Sequence, residues 1–506
     1  MDDFDVWRSR PMDVHTWSDY PEINAAVDQV FNSLTEDQQI IIEGNSRNKG
    51  KASGRKHLKV LLLDLYVAWR TDPDLCLGVS RGNGSYSVNS RYNGLHISSR
   101  IRIFIDVLAD AGFLDTAGGS FHRDGTGGRN RTSRVKATPK LVDVFCQLSF
   151  EPYELDLHHK QECIIRTADK KNEDYKSIKK REEYEDTPET HRMRAHLEEY
   201  NAFLAETYID LPQLVDPFIT RKKKDGSLQH IPVGQTNKFV RRIFSRSSWS
   251  LNGRFYGGWW QQVDKDLRKD IVINNVPTVE VDYKGLHVAL LSAKRGVGPK
   301  PGDRYALKYH LLPSFTSKEQ RTILKSLVLT AINAKDEKSA YRAFRDDQPT
   351  GSQKKKLKDA ELSLLLSAFI EENPHLSSDL CSDKGIELMF LDSQITEGIL
   401  TTFMNARKPV LPVHDSYIVE TFDVDLLNTV MAKVSRELTD FDLSSEQSTL
   451  GYNDVLRMSK YDRDRYLDTY SEVLSIMGKT PQYEERLLRF MKYRSENYNN
   501  TYWIGP

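Results

Sequence analysis

The chain has few of the features that define several common protein classes. Its 506 residues include only four cysteines, Cys76, Cys146, Cys163 and Cys381, which are far apart and lack the spacing of zinc ligands. This scarcity argues against a disulfide-rich secreted scaffold and predicts reduced thiols. The apolar runs are too short to span a bilayer, and no leader-like segment follows Met1. We therefore expect a cytoplasmic protein that does not contact membranes.

Net charge is also absent, since 72 lysines and arginines balance 72 aspartates and glutamates. A net charge of zero is unusual for an enzyme of nucleic acids, but a balanced total can hide segregated basic surfaces. The length allows two or three domains with cores of their own. The sequence shows no internal repeat or low-complexity tract.

Two short segments share one pattern. Residues 279–283, Val-Glu-Val-Asp-Tyr, and residues 410–417, Val-Leu-Pro-Val-His-Asp-Ser-Tyr, are rich in β-branched and apolar residues up to an aspartate. Buried strands there would bring Asp282 and Asp415 to the rim of a sheet. A single aspartate of this kind usually just begins a loop. Two of them can share divalent metal ions, because magnesium prefers oxygen ligands.

Two further motifs accompany these segments. Residues 251–256 contain a Gly-Arg pair ending at Arg254, and residues 318–333 have a helical pattern. Helical spacing puts Arg321, Lys325 and Asn333 along one side of that helix. Two cations four residues apart repel each other mildly, so the pair is favourable beside an anion such as a triphosphate. The alternative explanation is an exposed helix with ordinary basic residues.

In this order, the four motifs resemble the palm and fingers of family A DNA polymerases and of single-subunit phage and mitochondrial RNA polymerases. Asp-Tyr-Lys-Gly-Leu-His at 282–287 is similar to the Asp-Tyr-Ser-x-x-Glu motif of the DNA polymerases, and Val-His-Asp-Ser at 413–416 to the His-Asp motif that closes the palm in both groups. Residues 251–256 resemble the Asp-x-x-Gly-Arg segment of the RNA polymerases without its aspartate. The resemblance covers residues 246–460. It implies an α+β fold with an antiparallel palm sheet and helical fingers.

The resemblance also implies a phosphoryl transfer that uses two metal ions. Asp282, Asp415 and the backbone carbonyl of Tyr283 would hold two Mg²⁺ or Mn²⁺ ions. Arg321 and Lys325 would neutralise the charge of a nucleoside triphosphate. Further contacts to the nucleotide or the nucleic acid are implied for Arg254, Tyr256, His287, Asn333, Gln394 and His414.

Because the sequence departs from the family pattern, the motifs do not determine whether the product is RNA or DNA. His287 stands where the DNA polymerases have a glutamate that packs against the sugar, so the choice between ribo- and deoxyribonucleotides is unresolved. Asn333 and Ala334 replace the Tyr-Gly pair of the fingers helix. Stacking on the template or on the incoming base must then be provided in another way.

The region upstream resembles a winged helix-turn-helix between about residues 36 and 148. Helical patterns at 57–70 and 98–111 precede a Gly-rich stretch at 118–128 and a strand-like segment at 131–138. From residue 81 to residue 140, ten basic residues face only four acidic ones, an excess that would engage phosphates. A winged helix used for protein contacts is the alternative. The candidate nucleic-acid contacts are Arg100, Arg131, Arg134 and Lys136.

We expect three regions: a winged-helix-like nucleic-acid-binding domain at 1–150, a charged helical connector or thumb-like region at 151–245, and a palm and fingers domain at 246–506. The leading hypothesis is a template-directed nucleotidyltransferase whose partners are nucleoside triphosphates and a DNA or RNA template. One alternative is a DNA-binding replication-initiation or regulatory protein with a catalytically silent palm. Another is a primase or a template-independent terminal transferase. Paired carboxylates argue against a silent palm, because burying them without metal is unfavourable.

Overall fold

The computed structural model describes residues 4–44, 52–82, 85–120, 130–171, 177–222, 228–299, 302–476 and 478–498. It contains helices together with antiparallel and mixed sheets, which is compatible with the expected α+β class. Buried side chains form two large cores, one between Ile23 and Leu155 and one between Cys163 and Leu443. Within the described ranges, every helix is too short or too polar to cross a membrane.

The N-terminal unit packs helices against a four-stranded sheet. Its elements are β1 (Ser9–Pro11), α1 (Pro21–Asn32), α2 (Glu36–Glu43), α3 (Gly54–Thr71), β2 (Cys76–Val79), α4 (Ile101–Asp110), β3 (Leu114–Ala117), β4 (Ser133–Ala137) and α5 (Pro139–Phe145). The strand order is β1-β2-β4-β3, with β1 parallel to β2 and the other pairs antiparallel. Helix α3 is buried on all sides and forms the centre of this core.

The β3–β4 hairpin follows α4, as expected for a wing. Residues 121–129, which carry most of the Gly-rich tip, lie outside the described part of the chain. The winged-helix assignment therefore stays a prediction.

The remaining helices and strands lie after residue 163. They are β5 (Ile164–Lys171), β6 (Ser177–Arg181), α6 (Pro188–Glu206), β7 (Ile209–Asp210), β8 (Phe218–Lys222), β9 (Leu228–Pro232), β10 (Val240–Phe244), β11 (Asn252–Gly257), α7 (Lys265–Arg268), β12 (Val272–Ile273), β13 (Val276–Tyr283), α8 (Leu286–Lys294), α9 (Ser317–Asn333), α10 (Glu337–Asp347), α11 (Asp359–Glu372), α12 (Gly385–Asn405), β14 (Val410–Val413), β15 (Ser416–Glu420), α13 (Val424–Thr439), β16 (Ser445–Gln447), α14 (Tyr452–Arg457), α15 (Lys460–Ile476) and α16 (Pro481–Asn497).

Strand β13 lies at the centre of a six-stranded antiparallel sheet with the order β14-β15-β13-β12-β7, in which β16 also pairs with β13. Val279 and Val281 are buried to 2% and 0% exposure. Because side chains alternate along a strand, Glu280 and Asp282 share the opposite face. The register sets Asp282 opposite Ser416 on one side and opposite Glu446 on the other.

A second sheet, in the order β11-β10-β5-β6, joins the expected connector to the expected catalytic region. Strands β5 and β10 belong to the connector, and β11 carries Arg254. Helix α6 is tied to the six-stranded sheet, since the Tyr200 hydroxyl donates to the Val410 carbonyl at 2.6 Å. The connector thus contributes to the same core as the residues after 246, while the division into three regions stays a prediction.

The C-terminal helix α16 covers the β7 end of the central sheet. Tyr483 and Phe490, both fully buried, pack with Tyr208 and Val272. Nε of Arg486 donates to the buried carboxylate of Asp210 at 2.9 Å. An edge strand is covered in this way rather than left open for pairing.

Candidate active site

A two-residue turn, His414-Asp415, joins β14 to β15. Val413 pairs with Ser416 across this turn, and His414 has a φ of +58°. Tight hairpins of this length require a positive φ in the turn. The backbone N–H of Tyr283 donates to the carbonyl of Asp415 at 3.2 Å. The turn therefore holds Asp415 at the same rim as Asp282.

Asp282 and Asp415 line one cleft of about 460 Å³. Burial raises the pKa of Asp282 to about 7, and the charges of Asp415 and Glu280 act in the same direction. Two carboxylates in this arrangement repel each other, so a cation between them would lower the free energy.

Glu280 lies on the same strand face as Asp282, but its carboxylate is already engaged. Arg268 donates to its two oxygens at 3.1 and 3.0 Å, and the Ser416 hydroxyl donates to it at 2.6 Å. Glu280 thus anchors the first residue of β15, directly after Asp415.

Helix α9 forms the opposite wall of the cleft. Its first turn is fixed by a capping box between Thr316 and Glu319. Arg321 and Lys325 project into the cleft from the side expected from helical spacing. The apolar side is fully buried and comprises Leu324, Leu327, Val328 and Ala331.

In this structure Arg321 is engaged by a carboxylate of the protein itself. Its guanidinium forms an ion pair with Asp303, in which Nη2 donates to Oδ1 at 2.9 Å. Nζ of Lys325 lies 6.0 Å from the ring centre of Tyr305. A triphosphate that bound Arg321 would meet a side chain already oriented by Asp303.

Arg254 lies beside the two aspartates and bridges Asp392 and His287. Nε donates to Asp392 Oδ2 at 2.5 Å, and Nη2 lies 3.1 Å from His287 Nε2. Asp392 is completely buried, and this burial raises its pKa to about 7. Because arginine has only donors, His287 Nε2 is the acceptor.

The protonation state of His287 follows from this contact. Burial, together with the Arg254 charge, lowers the pKa of His287 to about 4. The imidazole is therefore neutral at pH 7, with its proton on Nδ1.

Four of the site residues predicted in the region 246–460 do not line the cleft, namely Tyr256, Asn333, Gln394 and His414. Tyr256 donates to Asn252 Oδ1 at 3.3 Å, and its ring lies 5.9 Å from that of the exposed His414. Asn333 is exposed at the end of α9 and donates to the Leu329 carbonyl at 2.7 Å. Gln394 is half-buried on α12. The cleft brings together Arg254, Asp282, Tyr283, His287, Arg321, Lys325 and Asp415.

The basic candidates of the N-terminal unit form internal contacts. Arg134 is 9% exposed and donates from Nε to the Val6 carbonyl at 2.9 Å. Lys136 forms an ion pair with Asp74 at 2.7 Å. Arg100 donates to the Ile42 carbonyl at 2.9 Å, at the C-terminal end of α2. Arg131 is half-buried. A phosphate would compete with the first three contacts.

Several cleft residues were missed by sequence reasoning. Asp303, Arg304 and Tyr305 lie in the segment between α8 and α9, and no periodic pattern distinguishes them. Asp392, the partner of Arg254, could have been found from the sequence. It lies on the apolar side of α12, where a carboxylate is rarely buried without a partner.

The oxygen ligands offered here are two carboxylates and one carbonyl. Over the described ranges, no three or more His, Cys, Asp or Glu side chains are grouped so as to hold a metal ion. A hard cation that keeps waters and takes substrate phosphates as further ligands fits this set. No protein-family model matches the chain, and no curated protein matches it.

Proposed function

We propose that the protein is a nucleotidyltransferase that joins nucleoside triphosphates on a nucleic-acid template. One observation carries this proposal: Asp282, at the end of β13, and Asp415, in the turn between β14 and β15, line a single cleft together with Arg321 and Lys325. Paired carboxylates suit divalent cations, and paired cations suit a polyphosphate. A nucleoside triphosphate with its divalent cations would therefore contact both the paired carboxylates and the paired basic residues of the cleft.

Each group has a distinct task. Asp282, Asp415 and the Tyr283 carbonyl would hold divalent cations, which when bound supply activation of a 3′-hydroxyl and stabilisation of the pyrophosphate leaving group. Lys325 and Arg321 orient the triphosphate and offset its charge. Arg254, held by Asp392, contacts the nucleotide or the template strand beside them.

The finer fold assignment belongs to the same proposal. The six-stranded sheet around β13 would be the palm, and helices α9 to α11 the fingers. The segment from α3 to β4 would be a winged helix that holds DNA or RNA. The strand order β2-β4-β3 and the helix α4 before the hairpin support this last assignment.

The test is an incorporation assay with labelled ribo- and deoxyribonucleotides, Mg²⁺ or Mn²⁺, and templates with and without primers. We expect synthesis by the wild type and its loss in Asp282→Asn and Asp415→Asn. Asp442→Asn is the matched control, because Asp442 pairs with Arg436 on the surface. Unchanged synthesis in the first two variants refutes the proposal. A wild type that shifts duplex DNA but incorporates nothing favours the silent-palm alternative.

A further inference from the structure

Three side chains that line the cleft carry buried polar atoms without a hydrogen-bond partner among the described residues. The atoms are Nδ1 of His287, Nη2 of Arg304 and the hydroxyl of Tyr305. Buried polar groups are nearly always paired, because an unpaired one loses its hydration without compensation. Such atoms grouped in one cleft indicate that a ligand provides their partners.

Tyr305 is the most enclosed of the three, with 4% exposure. A Cβ atom placed on Gly285 would lie 3.4 Å from its hydroxyl oxygen, so this oxygen lies against the backbone three residues after Asp282. Its ring stacks near Phe369, with centroids 6.4 Å apart, and faces Lys325 on α9. The hydroxyl is therefore held between the aspartate rim and the cationic helix.

Arg304 differs from the other arginines of the cleft. Arg254 is paired with Asp392 and Arg321 with Asp303, whereas Arg304 has no ion pair with a described carboxylate. Its Nε donates to the Lys284 carbonyl at 3.0 Å, which fixes the side chain and leaves the guanidinium charge unneutralised. A half-buried cation of this kind is stabilised by an anion.

The unpaired groups define the chemistry of the ligand. Arginine Nη2 only donates. The Tyr305 hydroxyl is protonated at neutral pH like any tyrosine, and burial raises its pKa further, to about 12, so it can donate as well. Two adjacent donors, one of them charged, match a group with several anionic oxygens.

We propose that Arg304 and Tyr305 donate hydrogen bonds to the phosphate oxygens of the nucleoside triphosphate. This inference rests on the proposed function and deepens it, since it assigns part of the triphosphate recognition to the segment between α8 and α9. The ion pair of Asp303 with Arg321 holds that segment against α9.

The test is calorimetry of the full-length protein in Mg²⁺ with two probes: a nucleoside triphosphate with a non-hydrolysable α,β bond, and inorganic tripolyphosphate. Tyr305→Phe and Arg304→Gln should each weaken both ligands about tenfold to a hundredfold, the range for hydrogen bonds to charged groups. Tyr309→Phe and Lys308→Gln are matched controls on exposed positions of the same segment and should stay within about twofold. Circular dichroism of each variant checks that it is folded.

The outcomes separate this inference from the proposed function. Wild-type affinity of Tyr305→Phe and Arg304→Gln for both probes, or no binding of tripolyphosphate by the wild type, overturns the inference. Weakened nucleotide binding with unchanged tripolyphosphate binding also overturns it, because the contacts would then be to sugar or base. Synthesis that needs Asp282 but has an unchanged KM in Tyr305→Phe refutes the inference alone. Tripolyphosphate binding that needs Tyr305, without any synthesis, refutes the proposed function alone.

Discussion

The basic side chains of the N-terminal unit and the polar side chains of the cleft differ in how their hydrogen bonds are used. Arg134 and Lys136, which stand out in the sequence by their charge, bond to groups of their own unit. Arg304 and Tyr305, which do not stand out, keep polar atoms without described partners beside Asp282. The donors of Arg134 and Lys136 are thus used within the protein, whereas the cleft keeps donors that a ligand could engage.

The largest expected effect is the loss of nucleotide incorporation when an aspartate of the cleft is replaced. Asp282→Asn should lower nucleotide incorporation roughly a thousandfold, equivalent to about 4 kcal/mol of transition-state free energy. The melting temperature should stay the same or rise, because the substitution removes the burial of a charge and the repulsion by Asp415 and Glu280, which together raise the pKa of Asp282. Steady-state incorporation and a thermal melt measure the two quantities. A variant that loses activity and stability together would mark Asp282 as a structural residue.

Replacement of Asp392 tests how much its ion pair with Arg254, which lines the cleft, stabilises the protein. Asp392→Ala should lower the free energy of unfolding by about 3–5 kcal/mol, because Arg254 would be left buried without its carboxylate. Urea denaturation measures the loss.

The double variant Arg254→Met/Asp392→Leu is the control for that experiment. It leaves no unpaired buried charge, so it should be clearly more stable than Asp392→Ala. Equal destabilisation of the two proteins would show that packing at Asp392, rather than the ion pair, supports this region.

Replacement of Arg134 tests whether this basic side chain of the N-terminal unit stabilises the fold or binds DNA. Arg134→Met should cost about 1–3 kcal/mol of unfolding free energy, because the part-buried carbonyls of Val6 and Thr132 lose their donor. Lys136→Met removes a half-exposed ion pair and should cost less than about 1 kcal/mol. Denaturation together with a DNA-binding titration distinguishes the roles. Weaker DNA binding by Arg134→Met at unchanged stability would place Arg134 on the binding surface.

The smallest effect concerns Glu420, at the end of β15 remote from Asp415. Burial raises its pKa from 4.5 to about 7, so the folded state binds the proton more tightly than the unfolded state. This stabilisation is complete below pH 4.5 and is lost as the pH rises through 7. Between pH 6 and 8 it falls by about 1.4 kcal/mol. Glu420→Gln should reduce the slope of the stability–pH profile by this amount and leave the contributions of Asp282 and Asp392, whose pKa values are also raised to about 7; an unchanged slope would contradict the prediction.

Periodicity in the sequence predicted much of the local structure. A helix expected over residues 318–333 is observed as Ser317–Asn333, and strands expected at both aspartate segments are observed as β13 and β14. Such patterns are local, so they can be read from neighbouring residues. The same patterns led to Asp282 and Asp415 as partners, which the structure places in one cleft.

The environment of the cleft could not be predicted in the same way. Asp392 reaches Arg254 across 138 residues of chain, and Asp303 reaches Arg321 from a segment without periodicity. Equally, the charge of Arg134 gave no sign that carbonyls of its own unit would use its donors. Which polar group is paired depends on long-range packing, which no local pattern encodes.

The central claim is that Asp282 and Asp415 together hold the divalent cations at which nucleotides are joined. Electron paramagnetic resonance titration of Mn²⁺, with and without a non-hydrolysable nucleoside triphosphate, tests it directly on the wild type, Asp282→Asn and Asp415→Asn. We predict wild-type Mn²⁺ binding that the nucleotide tightens and that either substitution weakens at least about tenfold. Equal Mn²⁺ binding by all three proteins, or none by the wild type in the presence of nucleotide, would contradict the claim.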